Sequence, residues 1–435
     1  MQVSVEATGN LERKMTIQVP PERVETEVDN RLKSLAKRVR LDGFRPGKVP
    51  LKVVRQRYGA GVYQEVLSEV LQESYREAVQ QEGLEPAGNP SIEPQSVENG
   101  QPIEFTASFQ VFPEVEVADF SDAEIERPVA EIGEEDVDRV IDSLREQNKE
   151  WAEVKRKAKK GDRITLDFVG SLDGEEFEGG RAEDFQVEVG AGRLIEDFEK
   201  QLKGVKTGEE PTIDVTFPDD YPAENLKGKT AQFALTIKKV EGPKLPEVDE
   251  EFAKKFGIED GSVEKLRADV RSNMERELNQ ALKGKVKNQV MELIIERHGF
   301  DLPDALVKSE VNRLREEAEK RFGGAQQTQP LPDSLFEEEA KRRVRLGLAL
   351  RAIIDQKGFE VDAERVERDL EDMAATYEDP EEVKQYYRSN PQAKSNLESL
   401  VLEDQVVDWI VDQAKVTEKK TSFQDVMNPN KESTE

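Results

Sequence analysis

The spacing of apolar residues changes along this 435-residue chain, and that change constrains its fold more than any single motif. From about Trp151 to Gly242 apolar and polar residues alternate: Ile164, Leu166 and Phe168; Phe185, Val187 and Val189; Ile213, Val215 and Phe217; Phe233, Leu235 and Ile237. Beyond Pro246 they recur every three or four residues, as in Val263, Leu266, Val270 and Met274. The first spacing buries one face of a sheet and the second one stripe of a helix. At this length one core, usually limited to about 250–300 residues, cannot contain both. The expected class is therefore multidomain α+β.

The pattern divides the chain into five stretches. Residues 1–117 read as an α+β unit, with strands at Val3 and Val5 and at Met15, Ile17 and Val19. A helix follows Pro21, and a second runs through Val62, Val66, Val70, Tyr75 and Val79 to near Gly83. A strand at Ile103, Phe105, Ala107, Phe109 and Val111 closes the unit. Residues 118–150 form a connector, with a strand from Ile125 to Ala130 and an acidic helix through Val137, Val140, Ile141 and Leu144. Residues 151–243 form an antiparallel sheet around one short helix, Arg193 to Leu202, with Asp173-Gly174 as a hairpin turn. Residues 244–418 are helical and interrupted by the Gln326–Pro330 loop; 419–435 are polar and expected to be flexible.

The formal charge is -29, yet the stretch from Arg31 to Arg57 carries ten cations and only one acid, Asp42. At its centre is Gly43-Phe44-Arg45-Pro46-Gly47-Lys48-Val49-Pro50, whose glycines and prolines predict a shaped loop presenting an aromatic between cations. This suits docking onto a polyanion, while the acidic remainder would repel one. A solvated helix end and turn is the alternative reading.

Most enzyme chemistry lacks material. Cysteine is absent and the one histidine, His298, precedes Gly299 at a predicted helix C-terminus, where a partial positive charge would cap the helix. Gly228-Lys229-Thr230 has Ala223 where a phosphate loop needs glycine, and Gly190-Ala191-Gly192 has Ile195 in place of the third glycine of a dinucleotide fingerprint. No cofactor or metal is expected. The N-terminus lacks a signal-peptide pattern and no stretch would span a bilayer, so the expected location is the cytoplasm.

What remains is an aromatic set in the sheet segment: Phe168, Phe177, Phe185, Phe198, Phe217, Tyr221 and Phe233. Core packing would explain most of it. An aromatic pocket without a nucleophile also suits rotation about an X-Pro bond, whose barrier of about 20 kcal/mol reflects lost amide resonance.

In order and spacing this segment resembles the FKBP-type prolyl isomerases, through Leu166-Asp167-Phe168-Val169-Gly170, Phe177-Glu178, Leu194-Ile195-Glu196-Asp197-Phe198, Phe217-Pro218-Asp219-Asp220-Tyr221 and Thr230-Ala231-Gln232-Phe233. The resemblance implies a proline pocket lined by Phe168, Phe177, Phe185, Leu194, Ile195, Phe198, Tyr221 and Phe233. The Ile195 amide and the Tyr221 hydroxyl would each hold a substrate carbonyl. Phe198 stands where that family often has tryptophan, implying a wider pocket.

From Met1 to about Asn428 the chain resembles the trigger factor family of bacterial ribosome-associated chaperones, with Gly43 to Pro50 matching its docking signature. Pro46 stands where some members carry lysine. The resemblance implies docking through Gly43, Phe44, Arg45, Pro46, Gly47 and Lys48 beside the exit tunnel of the large ribosomal subunit, on a ribosomal protein and rRNA. It implies ATP-independent shelter of nascent and unfolded polypeptides, X-Pro isomerisation, and a helical C-terminal cradle with arms joined by the connector. It leaves open whether the free protein forms a homodimer. Two other readings stay open: a prolyl isomerase whose flanking domains only recruit substrate, and a non-catalytic scaffold.

Overall fold

A computed structural model describes residues 1–41, 44, 48–96, 102–219, 221, 223, 226–321, 331–375, 377 and 379–428, the Glu178 side chain excepted. It divides into two compact units, residues 1–128 with 283–419 and residues 129–282 with 420–435.

The first unit opens with strands β1 (Gln2–Ala7), β2 (Glu12–Val19), β3 (Ser91–Ser96) and β4 (Ile103–Gln110), in the antiparallel order β1-β2-β4-β3. Alternation sends Met15, Ile17 and Val19 of β2 and Phe105 and Ala107 of β4 into the core. Helices α1 (Pro21–Arg38) and α2 (Leu51–Gln81) pack on the same core through Val24 and Leu32, and through Val54, Val66 and Val70. Pro21 starts α1, where its missing N–H costs nothing. Ion pairs join the two helices: Arg23 to Glu73 and Glu77, Arg31 to Glu65 and Glu69, and Arg55 to Asp29. Two features depart from the sequence pattern. Helix α2 begins well before Val62, its charged first turns anchored by buried Val54. Edge strand β3 was not predicted, because it is short and polar and carries Pro94, a residue tolerated at sheet edges. The unit also contains most of β5 (Glu124–Val129).

The second unit has two cores. One joins α3 (Glu134–Gln147) through Val137 and Ile141 to Phe252 of α5 (Glu250–Lys255) and to Leu266, Val270 and Met274 in the first part of α6 (Val263–Arg297). The other belongs to a sheet of β6 (Glu150–Glu153), β7 (Arg163–Leu172), β8 (Glu175–Glu188), β9 (Thr212–Thr216) and β10 (Thr230–Lys244), with α4 (Glu196–Leu202) packed against it. The strand order is β6-β10-β7-β8, and β9 also pairs with β10. Asp173 and Gly174, with φ of 54° and 88°, form the predicted β7–β8 turn. Strands β6 and β10 pair Trp151 with Pro243 and Ala152 with Gly242, so the chain enters and leaves this sheet side by side. Lys149 Nζ and the Arg163 guanidinium each lie over the Trp151 ring, 4.9 and 4.7 Å from its centroid.

The chain then returns to the first unit through the rest of α6, α7 (Asp304–Arg321), α8 (Glu337–Lys357), α9 (Ala363–Ala374), α10 (Pro380–Ser389) and α11 (Pro391–Gln413). Caps explain several boundaries. Asp362, Asp379 and Asn390 accept from the first free amides of α9, α10 and α11, and Gly358 ends α8 with φ of 67°. Strand β5 pairs with β11 (Lys415–Lys420), and Phe120, Ala123 and Ile125 fill a core with Ile294, Ile353, Val406 and Ile410. The Gln326–Pro330 loop lies outside the described residues.

Two expectations are corrected. The stretch 419–428 is not loose: it completes β11 and forms α12 (Phe423–Met427), capped by Ser422 and anchored by buried Val426. His298 caps α6, but as a neutral ring. It is only 3% exposed, Nδ1 lies 2.7 Å from the Ile294 carbonyl, and Nε2 accepts the Ala118 amide at 3.2 Å, which assigns the ring proton to Nδ1. No helix among the described residues is long and apolar enough to cross a membrane.

Candidate functional site

The β7–β10 register places Phe233 opposite Gly170 and Leu235 opposite Phe168. Gly170 leaves space that rings occupy: a Cβ there would lie 2.6 Å from Phe233 and 2.9 Å from Phe177. Phe233 is the hub of the cluster, its centroid 5.3 Å from Phe198, 5.9 Å from Phe168 and Phe177, and 6.5 Å from Phe217. Phe168 meets Phe198 at 6.0 Å and Phe185 at 5.5 Å. Tyr221 joins through Phe217 at 4.8 Å. Most of these contacts are edge-to-face, the geometry favoured by ring quadrupoles. Phe198, Phe217 and Phe233 are buried, whereas Phe168, Phe177, Phe185, Leu194, Ile195 and Tyr221 are partly exposed. Buried rings thus form a floor beneath a partly open rim.

Irregular backbone shapes that rim. The β7–β8 register shifts between Leu166 and Phe168, and β10 shifts between Ile237 and Lys239. Asp167, Asp184 and Lys238 meet there: Lys238 Nζ lies 2.7 Å from Asp167 and 2.8 Å from Asp184, and the Asp184 amide donates to Asp167 at 2.8 Å. Hydrogen bonds to the two carboxylates push Lys238 up to about 12, and the same lysine holds Asp167 below the usual carboxylate range.

The loop before α4 is held from within. The buried Glu199 carboxylate accepts the amides of Gly192 at 3.2 Å, Arg193 at 3.0 Å and Leu194 at 3.3 Å. The Ile195 carbonyl accepts the Phe198 and Glu199 amides at 2.9 and 3.1 Å. Among the described residues, the Ile195 amide donates to none.

In the first unit, Leu41 and Val49 are buried at the two feet of the basic loop, between which Phe44 is 39% exposed and Lys48 is exposed. Gly43, Arg45, Pro46 and Gly47 lie outside the described residues. Of the ten cations around this loop, Arg31 and Arg55 are spent on ion pairs within the helix hairpin.

Three family descriptions match consecutive parts of the chain: "Bacterial trigger factor protein (TF)" over residues 1–144, "FKBP-type peptidyl-prolyl cis-trans isomerase" over 154–238, and "Bacterial trigger factor protein (TF) C-terminus" over 262–412. The protein named "Trigger factor" of Thioalkalivibrio sulfidiphilus (strain HL-EbGR7) is 62% identical over 432 residues, covering 99% of each chain. The chain belongs to the trigger factor family. The trigger factor of Idiomarina loihiensis (strain ATCC BAA-735 / DSM 15497 / L2-TR) is 48% identical, covering 99% of this chain and 100% of its own. A solved structure titled "Promiscuous Substrate Recognition in Folding and Assembly Activities of the Trigger Factor Chaperone" agrees in fold, with TM-score 0.50, 20% identity and coverage of 95% and 99%. As a trigger factor the protein is a chaperone carrying an FKBP-type peptidyl-prolyl cis-trans isomerase domain, and its class is multidomain α+β.

Three residues that hold the ring cluster or the loop before α4 are not among those expected to line a proline pocket. Phe217 belongs to the aromatic set of the sheet segment but not to the lining that the resemblance implies. Gly170 carries the signal of a glycine inside an alternating strand, which marks close approach. Glu199 carries none, being one acid among 93.

Proposed function

We propose that the ring-floored pocket of this trigger factor isomerises X-Pro bonds in unfolded polypeptides that the same chain shelters at the ribosome. The observation that carries this reading is the conjunction of an aromatic floor at Phe168, Phe198 and Phe233 with an Ile195 amide that donates to no described residue.

A planar amide is stabilised by resonance and by hydration of its dipole, both of which weaken as it twists. A prolyl ring seated on Phe198 and Phe233 would bring its amide among apolar rings, where the twisted form loses less than the planar one. The Ile195 amide and the Tyr221 hydroxyl would hold carbonyls beside the rotating bond. No covalent bond changes, so no nucleophile or cofactor is required. Replacing Phe198 by Ala is expected to lower kcat/KM for a proline peptide at least tenfold in a folded protein; unchanged kcat/KM would refute the pocket.

For docking, the tip formed by Gly43, Phe44, Arg45, Pro46, Gly47 and Lys48 would contact a ribosomal protein and rRNA of the large subunit near the exit tunnel. The exposure of Phe44 and Lys48 supports this reading. The division of labour is residues 1–117 for docking, 118–150 as connector, 151–243 for isomerisation and 244–418 for holding nascent and unfolded chains, in the cytoplasm. Phe44→Ala with Arg45→Ala and Lys48→Ala should release the folded protein from ribosomes in co-sedimentation at physiological salt; undiminished co-sedimentation would refute the assignment.

A further inference from the structure

We propose that Glu199 is a positioning residue for the isomerase reaction, acting through the Ile195 amide. The inference rests on the pocket reading above. The Glu199 carboxylate takes three successive amides, those of Gly192, Arg193 and Leu194, and the next amide in the chain is that of Ile195. The peptide on the other side of Ile195 is fixed as well, because its carbonyl accepts two amides of α4. Ile195 is thus clamped from both directions with its own N–H left over.

Stabilising a loop alone would not require this arrangement. Gly190 and Gly192, with φ of 81° and 70°, already give the backbone its turn, and burying a carboxylate costs free energy that a backbone-closed turn avoids. The carboxylate satisfies every amide of the run except one. In a pocket without a nucleophile, that amide is a donor available to substrate. Because the carbonyl preceding proline belongs to the rotating bond, the carbonyl held in place is the proline's own. Glu199 is itself buried beneath the loop and so acts at one remove.

The test is a cycle between enzyme and substrate on the full chain. One substrate is a proline tetrapeptide; the other is its analogue with sulfur replacing the proline carbonyl oxygen, a weaker acceptor. Each catalysed rate is normalised to its uncatalysed rate. The wild type is expected to lose about fivefold to tenfold in kcat/KM on the sulfur analogue, the scale of one weakened hydrogen bond. E199L should lose about tenfold on the oxygen substrate and show no further loss on the analogue. E199Q, which keeps an acceptor oxygen for Arg193 and Leu194, should recover most of the rate and the discrimination. E199D, too short to reach all three amides, should fall between them and serves the cycle if E199L does not fold. A folded E199L variant that keeps the full oxygen-to-sulfur discrimination overturns the inference while leaving the pocket reading intact. Absence of discrimination in the wild type overturns the Ile195 anchor and this inference together.

Discussion

Phe233→Leu tests whether the ring cluster behaves as a hub with spokes. Leucine keeps much of the buried apolar volume but removes the ring, and Phe233 makes edge-to-face contacts with Phe168, Phe177 and Phe198 at interplanar angles of 63°, 87° and 85°. Such pairs contribute about 0.5–1.5 kcal/mol each beyond area burial, so losing three should cost about 2–4 kcal/mol. The fourth contact, with Phe217, is tilted at 43° and 6.5 Å and adds little. Phe185→Leu is the matched comparison, because Phe185 meets only Phe168 among the described rings and should cost about 0.5–1.5 kcal/mol. Hydrogen exchange of β10 amides in the full chain, read by mass spectrometry, isolates the stability of this sheet from that of the helical regions. At 1.4 kcal/mol per tenfold, the hub variant should exchange roughly thirty- to several-hundred-fold faster, and the rim variant about two- to tenfold. Equal acceleration in both would show that burial alone holds the cluster and would refute the hub argument.

Gly170→Ala should displace Phe233 and Phe177, since the new methyl falls 2.6 and 2.9 Å from their rings; kcat/KM should fall about tenfold or more with the sheet still folded, as an activity assay beside circular dichroism would record. Burial pushes Asp162 up, but the Arg156 guanidinium and the Lys159 amide outweigh burial and hold its carboxyl below the usual range. A depressed folded pKa gives stability that is present above about 4 and lost as pH falls through the folded value. Asp162→Asn should therefore cost about 1–3 kcal/mol at pH 7, the scale of hydrogen bonds to a charged group, and progressively less as pH falls below about 4, measured by exchange of β7 amides across that range. His298→Ala should destabilise the helices around α6 by about 2–4 kcal/mol, since it vacates a buried site and strips the Ala118 amide of its acceptor; His298→Gln, which can both donate and accept, should recover part of that in urea titrations.

Much of this architecture could be read from the sequence because single periodicities extend over long stretches. The alternation in β7, β8, β9 and β10 and the helical stripe of α6 reflect burial of one face, which composition records directly. The aromatic cluster was legible for the same reason, while its assignment to a proline pocket came only from the resemblance to FKBP-type isomerases. Strands β3 and β6 were not, because short polar strands bury few side chains and are specified by their partners' hydrogen bonds. Helix α12 escaped because a polar tail hides one buried residue, Val426. Glu199 was illegible as to role for a different reason, and so was the second contact of His298, whose capping of α6 could be read. Their partners are backbone amides, of the 192–194 loop and of Ala118, and a backbone amide leaves no mark in the residue type.

The pairing of Trp151 with Pro243 and of Glu150 with Lys244 brings the two ends of a long insertion to the separation of neighbouring strands. For the flanking chain, everything between those residues therefore closes like a hairpin. The entropy of closing a loop grows only as the logarithm of its length, and folding the inserted sheet removes even that growth because the ends are then fixed together. The flanking chain thus gains a preorganised turn when the sheet is folded and incurs a modest closure cost when it is not. Excising the insertion and joining Glu150 to Lys244 through a tight two-residue turn should preserve the closure on which α3 and α5 depend. Such modularity lets an enzyme be carried inside a chaperone without either having to wait for the other to fold.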